Sequence, residues 1–227
     1  GYKKEGSTSQ SFDDVLTVKI KDQSVGMRNA QKIGIKNPGV KIGENYTDYS
    51  QGSFRITGNT YDLALSGEGF FAIEFTNKAG ETDTKYTRAG QFTLNKDGYL
   101  VTEEGDYVLD TQNRRIRLNT LIDSSITDDG TIYQNGQAMA KIQVTDFADY
   151  DYLEKYGETY YQPIQGAQTI ASNAQVKSGY LEMANVQIVS EMVNLISITR
   201  AYESNQKVVQ TIDDTLDVAV NQIGRVQ

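Results

Sequence analysis

The residues best suited to chemistry in this sequence are four acidic doublets: Asp13-Asp14, Glu103-Glu104, Asp128-Asp129 and Asp213-Asp214. Paired carboxylates hydrolyse glycosidic bonds when one is protonated and the other ionised across a cleft. Sequence neighbours point apart on strands and helices, and these doublets sit among hydrophilic residues, so ordinary solvated side chains are expected. Asp128-Asp129-Gly130 is too short for a calcium loop. Gly67-Glu68-Gly69 lacks the Lys and Ser/Thr of a phosphate loop and the length of a dinucleotide fingerprint; its glycines are expected to serve a tight strand connection. Arg88, in Tyr86-Thr87-Arg88, is expected to anchor a hairpin through a buried ion pair with Asp62, or to meet a neighbouring subunit. The tyrosines 150, 152, 156, 160 and 161 are expected to cover a domain edge or a neighbour, with a sugar-binding surface as the alternative.

The chain has no His and no Cys among 227 residues. That removes Ser-His-Asp and Cys-His catalysis, disulfides and thiolate metal sites. The reading is therefore a non-enzyme with no cofactor and no metal. A net charge of −8 repels phosphate backbones and anionic lipid, so no nucleic-acid partner is expected. Apolar runs of a few residues are too short for membrane insertion.

The elements fall into three zones: an extended connector over residues 1–57, a β-rich middle domain over 58–170, and a connector with a long helix over 171–227. In the first, short strands are expected at 14–20 and 31–35 and at Gly39–Gly43. In the second, apolar runs about five residues long alternate with turns such as Asp97-Gly98, Glu104-Gly105 and Asn135-Gly136, which favour hairpins. A helical turn is expected over Asp149–Tyr156, ended by Gly157. The fold class is mainly β with a long C-terminal α-helix: a barrel- or sandwich-like middle domain plus a coiled-coil-forming terminal helix.

From Ile188, the positions Leu195, Ile198, Tyr202, Asn205, Val209, Ile212, Leu216, Ala219, Ile223 and Val226 alternate spacings of three and four, a heptad seam. Val189, Met192, Val193 and Ile196 widen it near the start. Asn185 is expected to cap the helix and Gly224 to mark its end. Such a helix of about 40 residues runs roughly 60 Å, beyond the reach of a small domain. Its seam is expected to need a helix from elsewhere, and Gly1 is expected not to be the protein's own start.

Two stretches resemble the flagellar basal-body rod and hook protein family. The first, SGYLEMANVQIVSEMVNLISITRAYESNQK, carries Gly179, Leu181, Glu182, Asn185, Glu191, Met192, Arg200, Tyr202 and Asn205 of its C-terminal signature, with Ala184 where the family usually has Ser. The second carries Asp62, Gly67, Gly69, Phe70, Phe71, Tyr86, Arg88, Gly90 and Gly98 of its middle motif, and Gly1-Tyr2-Lys3 resembles the close of its N-terminal motif. The resemblance implies an N-terminal helix pairing with the C-terminal one, self-assembly into a torque-transmitting tube that also serves as export channel, and adjacent rod and hook proteins as partners. It also implies the flagellar export apparatus as a partner, with type III export past the inner membrane and no cleaved signal peptide. Size and the segment TIYQNGQ favour a rod protein, the distal type ahead of a proximal rod or hook subunit. A β-domain adhesin on a helical stalk is the reading from another class.

Overall fold

The structure is a computed structural model and describes residues 1–12, 15–19, 31–36, 39–77 and 80–221. It forms two compact units, residues 1–185 and 186–227.

The first unit is built on one nine-stranded sheet. From end to end the strands run Leu153–Tyr156, Tyr160–Pro163, Thr82–Thr87, Phe70–Thr76, Tyr107–Val108, Leu100–Thr102 and Phe92–Leu94, with Val144–Phe147 and Thr169–Ala171 branching from Phe70–Thr76. Every pairing is antiparallel, as expected of strands joined by short turns. Asn135-Gly136 turns Thr131–Gln134 into Gln137–Lys141 with positive φ at both residues. The sheets stack as a sandwich-like body, without the closed barrel held open by the sequence.

Phe70 and Phe71 show why two layers form. Successive residues on a strand face opposite sides. Phe71 packs with Phe92, Leu63, Leu100 and Ile132 on one side. Phe70 packs with Phe147, Tyr161 and Leu153 on the other. Gly67 and Gly69 take positive φ between Leu63–Ser66 and Phe70–Thr76, the tight connection expected of them. Gly90 serves a close approach: a Cβ there would lie 1.7 Å from the Leu63 carbonyl oxygen. Gly98 carries the turn before Leu100, and Asp62 bridges to Gln91.

The connector zone is more ordered than its polar sequence suggests. Lys4–Ser11 pairs with Val40–Asp48 in a two-stranded ribbon, and the expected short strands appear as Val15–Lys19 paired with Gln31–Lys36. Asp13-Asp14 lies outside the described residues. The helical turn expected over Asp149–Tyr156 shrinks to a 3-10 turn, Tyr150–Tyr152. The rest becomes the strand Leu153–Tyr156, because its residues pair one for one with Tyr160–Pro163. Of the five tyrosines there, Tyr160 and Tyr161 are buried, while Tyr152 and Tyr156 are exposed.

Gly90→Ala is expected to lower stability by about 3 kcal/mol, since neither backbone can retreat without breaking the Leu63–Gly90 hydrogen bond of 2.8 Å. Chemical denaturation measures this; an unchanged midpoint would exclude the approach. Alkali is the second test. Burial pushes the Tyr160 and Tyr161 phenols above the ordinary 10.0. An unfolded chain releases those protons near pH 10 while the folded one keeps them, so stability falls as pH rises above 10. The two phenols together steepen the loss by up to ~3 kcal/mol per pH unit. Denaturant midpoints between pH 9 and 11 should show the fall, and a flat profile would contradict it.

Candidate functional site

Three of the motif blocks meet at one carboxylate. Glu182 ends the strand Tyr180–Glu182, which pairs with Phe54–Ile56 and turns the side chain inward. Its Oε1 accepts from Lys3 Nζ at 2.6 Å and from the Gly52 backbone N–H at 2.9 Å. The Arg88 guanidinium lies 3.5 Å from Oε2, and the Gly1 nitrogen donates to the Glu182 carbonyl oxygen at 2.6 Å. All three charged side chains are almost fully buried. Arg88 also lies 5.4 Å from the centre of the Phe70 ring, and Lys3 donates a second hydrogen bond to the Ser50 carbonyl oxygen at 2.7 Å.

Arg88 is thus in the buried ion pair the sequence suggested, but its partner is Glu182 and not Asp62. Asp62 instead accepts from the Asn59 side-chain amide at 3.2 Å and stays within its own turn. The sequence signal for the true partner was the Glu in Gly-Tyr-Leu-Glu, which stands between apolar residues on a strand, where a charge has to be paired. Lys3 had no assigned role at all.

Asn185 completes the cluster. Its Oδ1 accepts from the Lys4 backbone N–H at 2.7 Å, and its Nδ2 donates to the Asp48 carbonyl oxygen at 2.7 Å. It therefore does not cap the helix. The first intrahelical bond runs from Glu191 N–H to the Gln187 carbonyl, so Gln187 holds that position. The acidic doublets carry turns or solvated surface. Asp129 accepts from the hydroxyls of Thr127 and Thr131, which hold its carboxyl well below the usual range, while Glu103-Glu104 and Asp213-Asp214 are exposed.

The second unit is the helix Ile188–Asn221. Its 34 residues span about 51 Å, and Ile223, Gly224 and Val226 lie outside the described residues. No described helix residue is buried. Ile188, Leu195, Ile198, Tyr202, Val209, Ile212 and Leu216 are all open to solvent, as are Asn205 and Ala219. Thr199 and Ser197 turn their hydroxyls back onto the carbonyls of Leu195 and Val193, so these side chains already have partners within the helix.

Glu182→Gln is expected to cost roughly 3–5 kcal/mol, because it strands two buried cations. Lys3→Met should cost less, since Arg88 still neutralises the carboxylate. Urea denaturation of both variants decides; a Glu182→Gln loss smaller than that of Lys3→Met would contradict the cluster. Burial also lowers the Lys3 pKa, partly opposed by Glu182. This lysine alone therefore favours folding increasingly as pH rises towards 10.5, one group against the two phenols.

Comparison with known proteins matches these same regions. A family model described as "Flagellar basal body rod FlgEFG protein C-terminal" matches residues 177–223, and one described as "Flagellar hook protein FlgE/F/G D1 domain" matches residues 64–136. The flagellar basal-body rod protein FlgG of Bacillus subtilis is 33% identical over 240 residues, covering 97% of this chain and 87% of that protein. FlgG of Agrobacterium fabrum is 31% identical, covering 96% of the chain and 86% of that protein. FlgF of Caulobacter vibrioides is 34% identical, covering 79% of the chain and 72% of that protein. The chain belongs to the flagellar basal-body rod protein family.

Proposed function

We propose that this chain is a structural subunit of the distal rod that polymerises through its C-terminal helix into a tube carrying torque and enclosing an export channel. Members of the family are structural proteins and not enzymes. The observation that carries the reading is the heptad row from Leu195 to Leu216, apolar apart from Asn205 and open to water. Its five Leu, Ile or Val side chains, fully covered, would contribute at most about 7–15 kcal/mol. Association itself costs roughly 4–15 kcal/mol. One helix contact therefore stands near break-even, and several per subunit are needed. A polymer supplies them.

The distal type is favoured because the fullest coverages of this chain, 97% and 96%, come from relatives named FlgG, while those named FlgF reach 86%. A proximal rod subunit is the alternative. Adjacent rod and hook subunits are the expected neighbours, and type III export without a cleaved signal peptide is the expected route. Among the described residues, no helix is long and apolar enough to cross a membrane.

Protein expressed from the whole gene is expected to self-associate. Leu195→Asp with Ile212→Asp should weaken that association by at least ~100-fold while leaving the unfolding midpoint of the β unit unchanged. Sedimentation velocity reads the first and near-ultraviolet circular dichroism the second. A wild-type protein that stays monomeric at high concentration would remove the basis of the proposal.

A further inference from the structure

Two surfaces of the β unit carry opposite chemistry. On the first, Ile116 points into the core while its neighbours Arg115 and Arg117 point out. The Arg117 guanidinium lies 5.5 Å from the Tyr99 ring centre, Tyr99 lies 5.5 Å from Tyr107, and Arg115 lies 4.2 Å from Tyr107. The result is a plate of two arginines and two tyrosines set edge to face, residue types that anchor protein interfaces. Arg115 is held by Glu74, but Arg117 spends one N–H on the Asp97 carbonyl at 3.2 Å and keeps its charge free of any carboxylate partner among the described residues. Lys96 is exposed next to it, and Leu121 in the loop that follows is 92% exposed.

The second surface is the end strand Leu153–Tyr156 with the turn before it. Leu153 is buried, and Asp149, Asp151, Glu154 and Glu158 are exposed around Tyr152, whose ring rests over Gly166. The one cation of this strip, Lys155, is already paired with Glu5 at 2.9 Å. Among the described residues no ion pair joins this strip to the two arginines.

We infer that the Arg–Tyr plate of one subunit docks on the acidic Tyr152 edge of a second copy of this chain. The inference rests on the subunit reading above and names a contact of the β unit that is separate from the helix row. Charge complementarity selects the occupant: in a chain of net charge −8 the plate is a local cationic surface, and the chain carries its own acidic counterpart. Because the two surfaces differ, the contact is heterologous and leaves a free plate and a free edge after each addition.

The test is the critical concentration for assembly of the full protein, measured by sedimentation at low and high salt. Lys96→Glu with Arg117→Glu, and separately Asp151→Lys with Glu154→Lys, should each raise it about tenfold at low salt, with the gap narrowing at high salt. Combining all four substitutions should restore assembly. Lys96→Gln with Arg117→Gln gives a milder version, and circular dichroism with thermal melting verifies folding of every variant. Reversals without effect on an assembling wild type overturn this contact alone, as does a combined variant that fails to recover. Wild type that never assembles overturns the subunit reading as well. Reversals that abolish retention on heparin but leave assembly intact assign the plate to an anionic polymer and overturn the contact.

Discussion

A carboxylate cut off from water has to find donors in the protein, and Glu182 takes them from residues far away in sequence: Lys3, Gly52 and Arg88. Each donor arrives on a different segment, so the cluster forms only once the Thr82–Thr87 hairpin, the Tyr180–Glu182 strand and the first residues have come together. A buried ion pair adds little net stability compared with an apolar packing of the same volume. What it contributes here is position. Together with the Lys4–Asn185 hydrogen bond, it makes the chain enter and leave the β unit at one place. In a protein whose load would pass between a β body and terminal segments, that junction is where slack would be most damaging, and a closely paired, water-free cluster resists opening.

The body and the helix differ in what they leave unsatisfied. In the body, Phe70 and Phe71 divide one strand between two cores, and the buried phenol of Tyr160 finds Asp106 at 2.8 Å. The helix buries nothing among its described residues, yet the hydroxyls of Ser197, Thr199, Thr211 and Thr215 are satisfied by its own carbonyls. Its remaining demand is therefore almost entirely apolar. Apolar demand is non-directional and scales with covered area. A seam of that kind tolerates many neighbours related by the same operation, whereas specificity of register falls to the few polar residues on it, Asn205 above all.

Local signals made much of this legible. Glycine-bearing turn dipeptides marked the hairpins, and the alternation of three and four residues marked the helix, because both arise from interactions between near neighbours. Gly67 and Gly69 were readable for the same reason. The partner of Arg88 was not: Asp62 lies nearer in sequence, but hydrogen bonds within its own turn occupy it, and the choice of Glu182 depends on strand pairing between Phe54–Ile56 and Tyr180–Glu182. Asn185 misled in a similar way, since an amide three residues ahead of the first helical residue resembles a cap until a backbone 181 positions away claims it. The ribbon of Lys4–Ser11 and Val40–Asp48 has too few apolar residues to show a period, and only its pairing reveals it. Leu153–Tyr156 took its strand from a partner strand and not from its own propensity.

Symmetry ties these features to assembly. An apolar helix row alone is satisfied by a closed dimer, because two copies related by a two-fold axis cover each other and stop. An open filament requires a contact between unlike surfaces, so that each added subunit presents a fresh acceptor. The β unit provides unlike surfaces: the segment bridging Leu109 and Tyr99 projects Arg115 and Arg117, and the end strand Leu153–Tyr156 projects Glu154 beside Asp151. Non-directional helix packing would then supply the larger share of the affinity, and the two charged surfaces the direction of growth. Such a division of labour also limits errors. A subunit placed backwards would oppose plate to plate and acid to acid, and like charges brought together are penalised far more than a missing contact.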